Sequence, residues 1–420
     1  MPGEGLPSGQ PNVGANVWKY YLFHFFLNFQ LWWPIWIIYL TEKRGLTLGQ
    51  VTLIDVPFWL SMIVLQVPAA AMADRWGRKP ALILSGMLFA AAITFFGLAT
   101  NFWLILGSYL VWGIAFALLS GTESAFIYDT LKELDRDGEY QRVYGMGWAV
   151  AMAAALAGTL LGAPVAAATS LPFPIIVSGG LAAVAAVVAF TFREPLPEDR
   201  GPHGPSYGDI IWESAEIVRR SPAVRYSLLY FGLVTIGAVG TIFFFQPFLV
   251  RHGASLGTVG LWQTPMRVAG ILGALAAHRL MARMGERWTF YAAPAVIVVS
   301  YTVLAAWDSV YAQAMFPLLN FAVVLTQPSV TDYLNRRVPS EQRATVISLT
   351  NLIRSVILIP SAPIMGALAQ ESLALGFAAG GITIAVLGLP LLALWSPHLD
   401  GRWEEPEVAA ETTGVAAKDG

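Results

Sequence analysis

Residues 70–79 read Ala70-Ala71-Met72-Ala73-Asp74-Arg75-Trp76-Gly77-Arg78-Lys79, with four charges in the last six positions. The runs on either side, 50–73 and 80–99, are predominantly apolar. A bilayer core of roughly 30 Å needs about 20 apolar residues of helix, and each run meets that length. The stretch therefore reads as a charged turn between two membrane-crossing helices. Gly77 permits a tight turn, and Arg78 and Lys79 hold it at the cytoplasmic face.

The composition extends that reading to the whole chain. Of 420 residues, 56% are hydrophobic and only 12% charged, against roughly 25% charged in a soluble domain. So little charge cannot cover a water-facing surface of this size. The net charge of −2 argues against a nucleic-acid partner, which demands a basic face. With no cysteine, disulfides, thiolate metal sites and Cys nucleophiles are excluded. The polar, Gly/Pro-rich start lacks the basic segment and short apolar stretch of a cleaved signal peptide.

Twelve spans are predicted, near 18–40, 50–73, 80–99, 102–128, 143–168 and 172–192, then 224–250, 256–281, 288–307, 310–334, 344–369 and 372–396. The segments 1–17 and 397–420 read as tails, and 193–222, rich in Pro, Gly and charge, as a linker between bundles at 18–192 and 223–396. Ala154, Gly158 and Gly162 form a small-residue face on span five, suited to close helix contact. On the side opposite Arg78, the loops hold only Lys43 and Arg44 after span one and Arg251 after span seven. The basic side is expected to be cytoplasmic, with both termini there.

The halves echo one another. Met281-Ala282-Arg283-Met284-Gly285-Glu286-Arg287 follows span eight as Ala73–Lys79 follows span two. Asp129 closes span four and Asp332 span ten; Arg142 opens span five and Arg343 span eleven. Matches in one order, six helices apart, imply two duplicated six-helix halves.

The Asp74-Arg75-Trp76-Gly77-Arg78-Lys79 core, in a loop between spans two and three, resembles the signature of the major facilitator superfamily, with Ala70 and Met72 departing from its pattern. The resemblance implies an all-α membrane protein of twelve helices in two pseudo-symmetric bundles, working by alternating access. It implies that Asp74 caps helix eleven near Arg343 in one state. It also implies that Asp129 pairs with Arg75 or Arg142, and Asp332 with Arg283 or Arg343. Topology determinants and solvated end-charges are the plainer readings of the same residues. The segment 120–129 looks like a stretch common in bacterial facilitators of unassigned substrate, which leaves the cargo open, and the resemblance implies a bacterial inner-membrane location.

Ionisable groups at membrane depth are costly and mark function. At about 1.5 Å per residue, Arg267 and Arg354 lie near the midplane, where a substrate site is expected. Candidate substrate contacts are His24, Asn28, Gln246, Gln263, Arg267, Asn320, Gln327, Asn351 and Arg354. Candidate gating groups are Asp55, Asp74, Arg75, Gly77, Arg78, Lys79, Glu123, Asp129, Arg142, Asp332 and Arg343. Asp55 is expected to bridge to Arg354. Arg267, with no acidic partner evident, suits an anionic group on the substrate, the alternatives being Glu123 or backbone carbonyls. His24 reads as a packed, hydrogen-bonded residue in preference to a proton carrier.

Tyr109 stands where proton-coupled drug antiporters of the family usually carry Arg, and span five lacks their Gly-Pro pair. The expected function is export of lipophilic or amphipathic small molecules, or else import of a small organic anion bound by the midplane arginines. The expected partners are a small-molecule substrate and, as candidate coupling species, protons or another ion. No enzymatic activity, cofactor, metal or nucleic acid is expected, and the chain is expected to act as a monomer in the lipid bilayer.

Overall fold

Gly285, with φ 79° and ψ 165°, interrupts a helical run from Val259 to Ala306 and turns it into two crossings. The structure, a computed structural model, describes residues 13–195, 216, 218–338 and 340–399, and leaves the side chains of Val67, Ala70, 340–345, 347, 348 and 351 undescribed. Most of the predicted linker and tails thus lie outside the described residues, as do the side chains of Arg343 and Asn351.

Among the described residues, ten helical segments are long and apolar enough to cross a membrane. One of them, Leu256–Ala306, contains two crossings, and a further crossing is broken into short pieces; the fold therefore has twelve. We label them α1 (Ala15–Asn28, resumed at 36–43), α2 (Val56–Trp76), α3 (Arg78–Leu98), α4 (Phe102–Glu133), α5 (Tyr140–Ala168), α6 (Pro172–Phe190), α7 (Pro222–Arg251), α8 (259–284), α9 (286–306), α10 (Met315–Arg337), α11 (Ser340–Glu371) and α12 (Leu373–His398). They form an all-α membrane protein of two pseudo-symmetric six-helix bundles. Glu216, just before α7, accepts hydrogen bonds from Arg219 and Arg220, which hold its carboxyl down to about 2.

The structure corrects the sequence reading at α1. The predicted continuous span 18–40 is broken at 29–35. Pro34 has no N–H, and a break in lipid is tolerated only where neighbours re-satisfy the backbone. Leu31 N–H donates to Ser178 Oγ on α6 at 2.9 Å. The small face of α5 receives the break: a Cβ on Gly158 would lie 2.7 Å from Gln30 O, and one on Gly162 1.9 Å from Leu31 O. Only hydrogen fits there, which accounts for the spacing read from the sequence.

A second break divides α4 at Ser120-Gly121, where Gly121 has φ 83°. Nothing lies within 4 Å of a Cβ there, so the backbone alone selects glycine. Gly121→Ala is expected to cost about 1–2 kcal/mol, the penalty of positive φ for an L-residue, read as a lowered melting temperature of the purified protein.

The bundles touch on the face away from the basic loops, here called the sparse face. The turn Leu48–Leu53 packs on the end of α11, where a Cβ on Gly366 would lie 2.0 Å from Thr52 Oγ1. The start of α8 packs on the end of α5, where a Cβ on Gly260 would meet Thr159 O at 2.2 Å.

Candidate functional site

A cavity of about 420 Å³ lies between the bundles, lined by α1, α3, α4, α5 and Arg267 of α8. His24, Asn28, Glu123 and Arg267, expected from the sequence, all line it. The two helix breaks build it: the broken α1 supplies Gln30 and Trp33, and the break in α4 supplies Ser120 and Gly121. Trp112, Phe116, Tyr144 and Trp148 make the rest of the wall largely aromatic.

Two charged centres sit on this wall. His24 is buried, and its Nε2 lies 3.2 Å from Glu123 Oε2. Both ring nitrogens nevertheless lack an aligned hydrogen bond, as does the buried Tyr20 hydroxyl beside them. The short distance is a contact without hydrogen-bond alignment, and it is an ion pair only when the imidazole is protonated. The expectation of a hydrogen-bonded packing residue is corrected: His24 packs on Tyr20 (ring centroids 4.4 Å apart) yet faces a carboxylate at the cavity wall. Arg267 has no carboxylate at ion-pair distance among the described residues, and its Nε is enclosed without a partner. Its guanidinium carbon lies 5.9 Å from the ring centre of Trp33, within the range of a cation–π contact. Glu123 is paired with His24 and leaves Arg267 as the free positive centre.

The remaining candidates are dispersed. Gln246 is buried, and its amide bonds the backbone of α1 at Trp33, Ile37 and Ile38. Gln263 is buried with Oε1 unpartnered. Asn320 donates to Met266 O at 2.8 Å. Gln327 is exposed on α10. None of these four lines the cavity.

The expected Asp55–Arg354 bridge is absent at ion-pair distance. Trp59 joins the two instead: its Nε1 donates to Asp55 Oδ2 at 2.6 Å, and its ring lies 5.2 Å from the guanidinium carbon of Arg354.

At the basic face, Arg78 is buried and reaches Asp74 at 2.7 Å and Asp129 at 3.5 Å. Asp129 therefore pairs with Arg78, where Arg75 or Arg142 was expected; both of those are exposed. Gly77, at φ 100°, turns the loop so that α3 starts immediately. Asp332 pairs with Arg336, one turn along α10, at 2.6 Å, while Arg283 is exposed. The Asp74 cap on helix eleven concerns Arg343 and its neighbours, which lie outside the described side chains.

Sequence reasoning missed Glu194, which accepts from the N–H groups of Arg78 (2.5 Å) and Lys79 (2.7 Å). A carboxylate on two free N–H groups at a helix start is favoured by the dipole. Glu194→Ala is expected to lower stability by about 1–2 kcal/mol, measurable as a shift in thermal unfolding, with Glu194→Gln losing less. Also missed was the second-half counterpart of the Arg78–Asp129 pair, Glu286 with Arg337 at 2.7 Å. Charge placed directly after the Gly turn, Arg78 in one half and Glu286 in the other, was the available signal for these two pairs.

Comparison with known proteins agrees with this architecture. The chain is similar in fold to the nucleoside transporter NupG, with a TM-score of 0.74 at 9% identity, over 93% of this chain and 100% of that one. It is similar to a bacterial homolog of the human lysosomal transporter Spinster, solved inward-facing and unoccupied, with a TM-score of 0.71 at 17% identity, over 95% and 100%. A stretch of 84 residues is 37% identical to Protein ZINC INDUCED FACILITATOR 1 of Arabidopsis thaliana, spanning 20% of this chain and only 16% of that relative. The family model of the Major Facilitator Superfamily matches residues 21–363, and the chain belongs to that superfamily of membrane transporters.

Proposed function

We propose that this transporter carries amphipathic organic anions by alternating access, with the carboxylate or similar group on Arg267 and the apolar body against Trp33, Trp112, Phe116 and Trp148. The observation that carries this reading is the unpaired Arg267 in an aromatic cavity whose one lining carboxylate is already matched by His24. A desolvated guanidinium without a partner is costly, and an anionic ligand relieves that cost. Aromatic walls add area and ring contacts without selecting one scaffold. The halves meet at the sparse face. If the basic face is cytoplasmic, as the positive-inside rule gives, this is the inward-open state in a multi-pass inner-membrane protein. Either direction of net flow is compatible with one cavity exposed to each face in turn, because the gradients decide it.

We place a coupling proton on the His24–Glu123 pair. The pair sits on the same wall as Tyr144 and Arg267, with Tyr20 packed on the His24 ring and Tyr140 in electrostatic reach of Glu123. His24→Gln is expected to flatten the pH dependence of uptake in proteoliposomes. A retained dependence would remove the proton from this site.

The substrate reading is tested by thermal shift of purified protein with aromatic and alkyl carboxylic acids, each paired with its neutral amide. Ligand binding to the folded state raises apparent stability. Acids are expected to stabilise and amides not; equal stabilisation by both would overturn the assignment of an anionic cargo.

A further inference from the structure

Gln246 stands where a helix should bond to itself. In an unbroken α1 the N–H of Ile37 would donate to the C=O of Trp33, four residues back. In the structure Gln246 Oε1 accepts from Ile37 N–H at 3.0 Å and from Ile38 N–H at 3.4 Å, while Gln246 Nε2 donates to Trp33 O at 3.0 Å. A carboxamide from α7, in the second half, has been inserted into the backbone ladder of α1, in the first. Gln246 is 1% exposed, so its carboxamide is shut off from bulk solvent.

The same device occurs once more, inside a single half. Tyr301 on α9 accepts from Gly240 N–H at 3.0 Å and donates to Ile236 O at 3.0 Å, splitting one rung of α7. Those helices belong to one bundle and need never part. Gln246 and α1 belong to different bundles, near the sparse face where the halves meet. Opening that face must withdraw the carboxamide and leave Ile37 N–H and Trp33 C=O to rejoin each other or find water.

We infer that Gln246 is the positioning residue of the transport cycle: an inserted carboxamide latch that holds the sparse face closed and senses cavity occupancy through Trp33. The inference rests on alternating access as proposed above, but not on the identity of the cargo. Its specificity is chemical. One side chain must present a donor and an acceptor side by side, which Gln does and Met, of similar length, does not. Its link to the cavity is Trp33, whose carbonyl the latch holds while its ring faces Arg267 at 5.9 Å. A ligand on Arg267 presses on the residue that carries half of the latch. Trp36, stacked on Trp33 and in edge contact with Phe243 of α7, ties the same stretch to the second half.

The native chain has no cysteine, so a single introduced thiol reports the closure. Thr52 is fully buried at the sparse-face contact. In the full chain carrying Thr52→Cys, in nanodiscs without ligand, Gln246→Met is expected to raise the maleimide labelling rate about tenfold, for the loss of one or two net hydrogen bonds. Gln246→Glu, whose protonated carboxyl offers O–H and C=O in the same places, is expected to label at the parent rate at low pH. It should gain the same tenfold once ionised, with rates normalised to denatured protein; this arm stands even if the Met variant does not fold. Ser85→Cys, buried between α3 and α4 within one half, must stay unlabelled in all variants. Parent-rate labelling of Thr52→Cys in both Gln246 variants would overturn the latch. So would faster labelling of Ser85→Cys, since it would show general loosening. Gly260→Leu, which wedges the same face, separates the two readings: if Thr52→Cys stays unreactive there as well, alternating access at this face fails and takes the latch with it.

Discussion

Replacing Arg267 by Gln is expected to weaken binding of an amphipathic organic acid by about 100-fold. Removing one member of a buried, hydrogen-bonded charge pair costs about 2–5 kcal/mol, and 1.4 kcal/mol is tenfold in affinity. Nothing else on the wall can replace it, because Glu123 repels the anion and His24 is already turned to Glu123. Arg267→Lys keeps the charge but loses the planar fork and the stacking on Trp33, and is expected to fall between the two. Calorimetry on purified protein with an acid found by the thermal-shift screen measures both. Unchanged affinity in Arg267→Gln would move the anion site elsewhere.

Gly260→Leu is expected to reduce transport by about 100-fold while leaving the protein folded and inserted. A Cβ there would meet the carbonyl oxygen of Thr159 at 2.2 Å. That atom is backbone and belongs to the opposite half, so no rotamer change relieves the clash. Overpacking of this kind costs about 1–3 kcal/mol or more, and the cost falls only on the state in which the sparse face is closed. The halves are therefore biased apart, and the cycle stalls on one side. Transport in proteoliposomes and reactivity of Thr52→Cys, measured together, check it. Wild-type transport in Gly260→Leu would mean that closure of this face is no part of the cycle.

The parts of the site legible in the sequence are those where one residue's identity is decisive. Arg267 stood out because a charge at membrane depth needs a reason, and the structure puts it on the cavity wall. The glycines of α5 stood out by spacing, and they do receive a close neighbour. His24 and Glu123 were each singled out, but for separate roles. What joins them is the packing of α1 on α4, and no local pattern encodes which carboxylate a histidine on another helix will meet. Asp129 illustrates the same limit. Several arginines compete for it, and Arg78 prevails because the turn at Gly77 buries that side chain while Arg75 and Arg142 stay exposed.

Hydropathy and the Lys/Arg imbalance, read along the chain, were sufficient for twelve crossings, two related halves and a basic face, because bilayer thickness acts on every segment alike. The break in α1 is a different kind of fact. Its residues Leu31, Trp32, Trp33 and Ile35 are as apolar as any helix, so an average over a crossing passes over it, and only Pro34 hinted at it. Whether a chain opens its own ladder in lipid depends on what waits to fill the gap. Here that is Ser178 from α6 and Gln246 from α7, residues 147 and 209 positions away from the N–H groups they satisfy. Only the tertiary structure brings them there.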